Sequence, residues 1–125
     1  MANPNIVNVA AIYGNNSSTS LTTTNATAIV NNAAASGKVY KVNMITVANV
    51  DGTAAADITI NKYSQDDLGG TAYAIVSTVS VPADATLIVL DKTTALYLKE
   101  DESIGATAGT ASDLVVTASW EEINS

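Results

Sequence analysis

Two apolar runs dominate the pattern of hydrophobic and polar positions along this chain. Val39 to Val50 places Tyr40, Val42, Met44, Thr46, Ala48 and Val50 on one strand face, with Val39, Ile45 and Val47 on the other. A strand apolar on both faces belongs inside a sheet rather than at its edge. Asp57 to Tyr63 alternates instead, Ile58 and Ile60 facing one way and Asp57, Thr59 and Asn61 the other, as in a half-solvated strand. Asp51-Gly52 between them has the chemistry of a tight turn. Lys38 to Tyr63 therefore reads as a hairpin around which the rest of the chain is organised.

The remaining chain divides at turn residues. Ala2 to Tyr13 alternates weakly through Ile6, Val7, Val9, Ala11 and Ile12, which suits a first strand or an extended arm. Gly14 to Ser18 (GNNSS) is a loop by composition. Thr19 to Val30 reads as an edge strand rich in Thr, and Asn31 to Gly37 as a second loop. Thr71 to Val81 follows the turn cluster Ser64 to Gly70, with Tyr73, Ile75, Val79 and Val81 on one face. After Pro82, the run Thr86 to Leu90 (TLIVL) has the continuous apolar character of a fully buried strand. Ala95 to Leu98, Ser103 to Ala108 and Leu114 to Ile123 complete the set, the last with Leu114, Val116, Ala118 and Trp120 on a shared face. About eight strands at intervals of 8 to 12 residues, without a helical period, predict an all-β fold: an antiparallel β-sandwich of jelly-roll or Ig-like type, with residues 1–125 as one domain. Residues 1–24 are a possible N-terminal arm or pair of edge strands.

Composition narrows function mainly by exclusion. The chain has 125 residues, five lysines, no arginine, no histidine, no cysteine and 12 acidic residues, for a net charge of -7. A basic face for nucleic acid is missing, no apolar run reaches the length of a membrane span, and a Ser-His-Asp triad cannot be assembled. The N-terminus lacks the basic and hydrophobic regions of a signal peptide, so synthesis in a cytoplasm is expected. Charged residues make up only 14% of the chain, against roughly 25% in ordinary soluble domains. A weakly charged surface suits protein-protein contact, where desolvating charge is costly.

The candidate chemistry is sparse. Three adjacent acidic pairs, Asp66/Asp67, Asp101/Glu102 and Glu121/Glu122, read as solvated turn and strand charges rather than the facing carboxylates of a glycosidase. Asp51, Asp57, Asp66 and Asp67 flank turns, but the spaced ligand ladder of a calcium loop is absent, so no metal and no cofactor is expected. Trp120 reads as a core or interface anchor; with Tyr13, Tyr63 and Tyr73 it is the alternative platform for a carbohydrate-binding module. No enzyme is expected.

Three segments carry a family resemblance: Val39 to Asp57 (VYKVNMITVANVDGTAAAD), Val79 to Asp91 (VSVPADATLIVLD), and Leu96 to Ile104 (LYLKEDESI) running on to Ser112 to Ile123 (SDLVVTASWEEI). Together they resemble small β-sandwich virion proteins of tailed bacteriophages, of the marine phage type, over about two thirds of the chain. The resemblance implies a virion location and a head decoration, or cement, protein that binds and stabilises the capsid lattice; a neck, collar or tail-fibre accessory protein is the alternative. It implies contact with the major capsid protein or other virion proteins, and a homo-oligomer, with a trimer typical. It also marks Pro82 and Glu100 to Glu102 as positions where the chain crosses between sheets. Ile6, Val7, Val9 and Leu21, in the low-charge segment Ala2 to Thr24, are the candidate partner-contact residues, as an arm added to a neighbour's sheet.

Overall fold

The computed structural model describes residues 4–124. Nine strands follow one another: β1 (Ala11–Ser20), β2 (Thr27–Asn32), β3 (Lys38–Asn49), β4 (Ala56–Gln65), β5 (Gly69–Val81), β6 (Thr86–Leu90), β7 (Leu96–Leu98), β8 (Glu102–Ala108) and β9 (Leu114–Asn124). A single 3-10 turn, Lys92–Thr94, separates β6 from β7 and is capped by the Asp91 carboxylate. The strands form two antiparallel sheets, β1-β9-β3-β6 with β7 beside β6 on the free edge of β3, and β2-β8-β4-β5.

The pairings nest. β4 pairs with β5, β3 with β6 and β7, β2 with β8, and β1 with β9, as in one long hairpin whose two arms run side by side. Winding that ribbon brings β3 against β9 and β4 against β8, which closes the two sheets. This strand order is that of a jelly roll, the first of the two sandwich types expected.

The core lies between the sheets. Val42, Ile45 and Val47 of β3 meet Ile58 and Ile60 of β4, Ile104 and Ala106 of β8, and Val116 and Ala118 of β9. β3 lies inside its sheet, as its two apolar faces predict, and a bulge between Val42 and Met44 resets its inward face. The predicted face of β9 is buried as expected. Pro82 and the Glu100 turn do stand where the chain changes sheets, between β5 and β6 and between β7 and β8.

Four local expectations are corrected. Lys38 to Tyr63 is not a hairpin: β3 and β4 lie in opposite sheets, and Asp51-Gly52 belongs to an arch between them. Gly14 to Ser18 is strand, not loop, because a one-for-one ladder to β9 overrides its turn-prone composition. Thr19 to Val30 is broken at residues 21–26, where the chain passes from one sheet to the other. Thr86 to Leu90 lies at an edge, and Ile88 is 64% exposed, since only β3 adjoins it. β8 is the short strand expected at Ser103 to Ala108 and is among the most buried, with Gly105 lying under Tyr63 and Leu68, whose side chains occupy the space a Cβ would need.

Candidate functional site

The chemistry-bearing side chains gather at one end of the sandwich, where the β2–β3, β4–β5 and β7–β8 connections meet. The carboxylate of Asp66 accepts from the Ala34 N–H (3.0 Å), that of Asp67 from the Asn31 amide (3.0 Å), and that of Asp101 from the Asp66 N–H (3.1 Å). Glu100 accepts from the Gly37 N–H at 2.6 Å. Glu102 is almost completely buried, accepts from the Lys99 N–H (2.8 Å) and pairs with Lys62 Nζ (3.0 Å). The Lys62 ammonium also lies 5.8 Å from the centre of the Tyr73 ring. The loop carboxylates are thus not simply solvated: those of Asp66, Glu100, Asp101 and Glu102 bind backbone N–H groups of the tight connections, and that of Asp67 binds the Asn31 side-chain amide.

Asp51, Asp57, Asp66 and Asp67 do not come together as a calcium constellation. Asp57 is the second residue of β4 and Asp66 follows its end, so nine residues at ~3.3 Å each hold them roughly 30 Å apart. Among the described residues, no three acidic side chains are placed to share a metal ion.

A second cluster surrounds Glu122. Its Oε2 accepts from Asn15 Nδ2 (2.6 Å) and Trp120 Nε1 (3.3 Å), and its Oε1 lies 3.4 Å from Lys38 Nζ. Burial pushes the Glu122 carboxyl up, but these hydrogen bonds and the Lys38 charge outweigh it and hold the group below its ordinary 4.5. The neighbouring Tyr40 phenol is pushed above its ordinary 10.0, first by burial and then by the Glu122 charge. A depressed carboxyl contributes stability above its unfolded value and loses it as pH falls through the folded one. Glu122→Gln keeps the shape and removes the charge. We expect its melting temperature to lie below wild type near neutrality and the gap to close in acid, as pH falls below the ordinary 4.5 and through the lowered pKa of the folded carboxyl. Thermal melts across this range check it; a gap that persists in acid would assign the effect to packing.

Trp120 is 8% exposed, and its ring stacks on Tyr40 at 6.1 Å between centroids and 20° between planes. It is an anchor, as read from its strand face, and cannot serve as a sugar platform. Tyr13 and Tyr73 remain exposed, on different sheets.

The four candidate contact residues divide. Ile6 is 51% and Val7 92% exposed, on the turn preceding β1, and Val9 is half-buried. Leu21 is fully buried in the core. Its N–H donates to the Leu114 carbonyl, and its carbonyl accepts from Ser112. It is therefore withdrawn from the contact set, because a side chain filling the core has no surface to offer. Ala2 and Asn3, at the start of the proposed arm, lie outside the described residues.

Two residues escaped sequence reading. Asn32 and Asn49 are both buried, and each ends a strand just before a crossing between sheets. Asn32 Nδ2 donates to the carbonyls of Lys38 (2.9 Å) and Leu98 (3.2 Å), while its Oδ1 accepts from Ser36 Oγ. Asn49 Nδ2 donates to the carbonyls of Val81 (2.9 Å) and Ala54 (3.0 Å), while its Oδ1 accepts from the Asp51 N–H. Each asparagine clamps one sheet to the other. The sequence signal was an Asn at the end of an apolar strand and just before a turn.

No protein-family model matches the chain, and no curated protein does. Among solved structures, the chain is similar to one from the Bacillus endospore appendages, a family of disulfide-linked pili, with a TM-score of 0.51 and 16% identity over 91% of this chain and 89% of that one. At this level of identity the likeness speaks to the fold. The chain is thus a jelly-roll sandwich, and it shares that architecture with a pilus structure.

Proposed function

We propose that this chain is a structural subunit of a phage virion, a head decoration protein that binds and stabilises the capsid lattice. The observation that carries the reading is how the polar groups are used: the carboxylates of Asp66, Glu100, Asp101 and Glu102 bind the chain's own backbone and hold its loops. Exposed apolar side chains such as Val7, Ile12 and Ile88 are left for contact. The resemblance of the segments at Val39, Val79 and Leu96 supplies the virion context. Attachment then works through many modest interfaces repeated over a lattice, with avidity in place of a single strong site.

Purified protein added to expanded capsids lacking decoration is expected to saturate them and raise the temperature at which they rupture. An unchanged rupture temperature at saturation overturns the reading. Copy number separates head from neck: gel densitometry against the major capsid protein gives hundreds per particle for a lattice subunit and about a dozen for a neck component. The pilus neighbour favours a second reading, a subunit of a surface filament. With no cysteine, this chain would have to assemble such a filament without the disulfides of those pili. Negative-stain images of the concentrated protein alone decide it, filaments favouring the second reading.

A further inference from the structure

The four sheet edges are not equivalent. β6 is five residues long, and the 3-10 turn separates it from the three residues of β7. β2 has six residues and a bulge between Ala28 and Val30. β5 is long, but its pairing with β4 shifts register three times, and Thr78 sits at φ 51°, a conformation that β-branched residues avoid. Short length, bulges and strain are the devices that keep an edge from pairing with another chain. β1 has none of them. It pairs with β9 one for one over ten residues without a bulge, and it contains no proline and no charged side chain.

The ladder also fixes which backbone groups of β1 are free. The Leu21 N–H donates to the Leu114 carbonyl at 2.9 Å, in the same pairing sequence that sets Ser20 opposite Val115. Antiparallel pairing alternates, so the odd-numbered residues of β1 turn their N–H and C=O groups towards β9. Ile12, Gly14, Asn16, Ser18 and Ser20 turn theirs to the open edge, and all five are exposed.

We infer that β1 pairs antiparallel with β1 of a second copy of this chain, about a two-fold axis through Asn16. The axis sets Ile12 opposite Ser20, Gly14 opposite Ser18 and Asn16 opposite its own mate, so the one large side chain, Ile12, faces a serine. Each N–H at the open edge then meets a carbonyl of the other strand, and the two five-stranded sheets become one. A second copy is the occupant this edge fits: two chains of net charge -7 repel wherever their carboxylates meet, and β1, a long, regular edge with none of the 12 acidic residues, lets two copies pair with no like charges opposed. The interface is isologous. It implies a dimer contact where the family resemblance suggests a threefold one, and it does not depend on the virion reading.

Sedimentation of the full chain tests the pairing. Wild type is expected at twice 12.7 kDa, about 25 kDa, with amides of Gly14 and Ser18 protected from hydrogen exchange. Ser18→Pro removes an open-edge N–H without touching the ladder to β9. Asn16→Lys sets two like charges opposite each other on the axis. Each is expected to weaken the dimer by about tenfold or more while the circular dichroism of the fold is kept, and Asn16→Lys alone suffices should Ser18→Pro fail to fold. A wild-type monomer at high concentration, a trimer, or a dimer unaffected by Asn16→Lys would each overturn the inference.

Discussion

Leu21→Ala is expected to destabilise the protein by about 2–5 kcal/mol, lowering the melting temperature by roughly 8–20 °C for a domain of this size. Leu21 is among the largest fully buried side chains, and it sits where the chain leaves β1 to cross the sandwich. Truncating it removes methyl groups from water-free surroundings and leaves a cavity that its neighbours can only partly fill, because Leu114 and Ser112 pin its backbone on both sides. The sequence also allows Leu21 as a contact residue on an exchanged arm, and the two roles separate in one experiment. Thermal denaturation of the isolated protein falls steeply if Leu21 is core. A melting point within a degree or two of wild type, with association lost instead, would return it to the contact set. Val7→Ala is the contrasting control, since an exposed side chain ahead of β1 has little to lose on truncation.

Asn49→Ala is the second large effect expected, on the order of 3 kcal/mol. The cost does not come from lost apolar area. It comes from leaving the Val81 and Ala54 carbonyls and the Asp51 N–H without the partner that Asn49 supplies. A buried polar group without a partner is penalised more heavily than a hydrogen bond is rewarded. Asn49→Asp keeps the acceptor for Asp51 but turns a carboxylate on two carbonyl oxygens, so it should do no better near neutrality. Equilibrium unfolding in urea measures both. An Asn49→Ala variant as stable as wild type would show that the arch at residues 50–55 holds without its clamp.

How far the chain can be read without its structure depends on which force decides each segment. β3 and β9 are legible because burial decides them: Tyr40, Val42, Leu114, Val116 and Trp120 fall at strand period on faces that the sandwich covers. The breaks at Pro82 and Glu100 are legible because turn chemistry decides them, while the resemblance marks them as crossings between sheets. Gly14 to Ser18 is not, since its strand conformation is imposed by a partner about a hundred residues away, with Gly14 opposite Glu121 and Ser18 opposite Thr117. TLIVL misleads for the opposite reason, as its apolar run is one residue type on two faces and only Leu90 is buried. The Asp51 turn is legible as local chemistry, its carboxylate accepting from the Thr53 N–H and hydroxyl. Whether a turn joins two strands of one sheet or two sheets is decided by non-local pairing, and so the supposed hairpin became an arch. The backbone partners of the loop carboxylates are not legible, because a loop's unpaired N–H groups cannot be counted before the loop is closed.

The nested pairing places the two ends of the described chain side by side, Ala11 opposite Asn124. β9 lies between β1 and β3, so it is the strand that joins its sheet into a whole. A chain that ends before Leu114 has β3 still beside β6 and β7, but β1 has no neighbour at all. Closure of this sheet therefore waits on β9, the most distant in sequence of β1's possible partners, rather than on any local pairing.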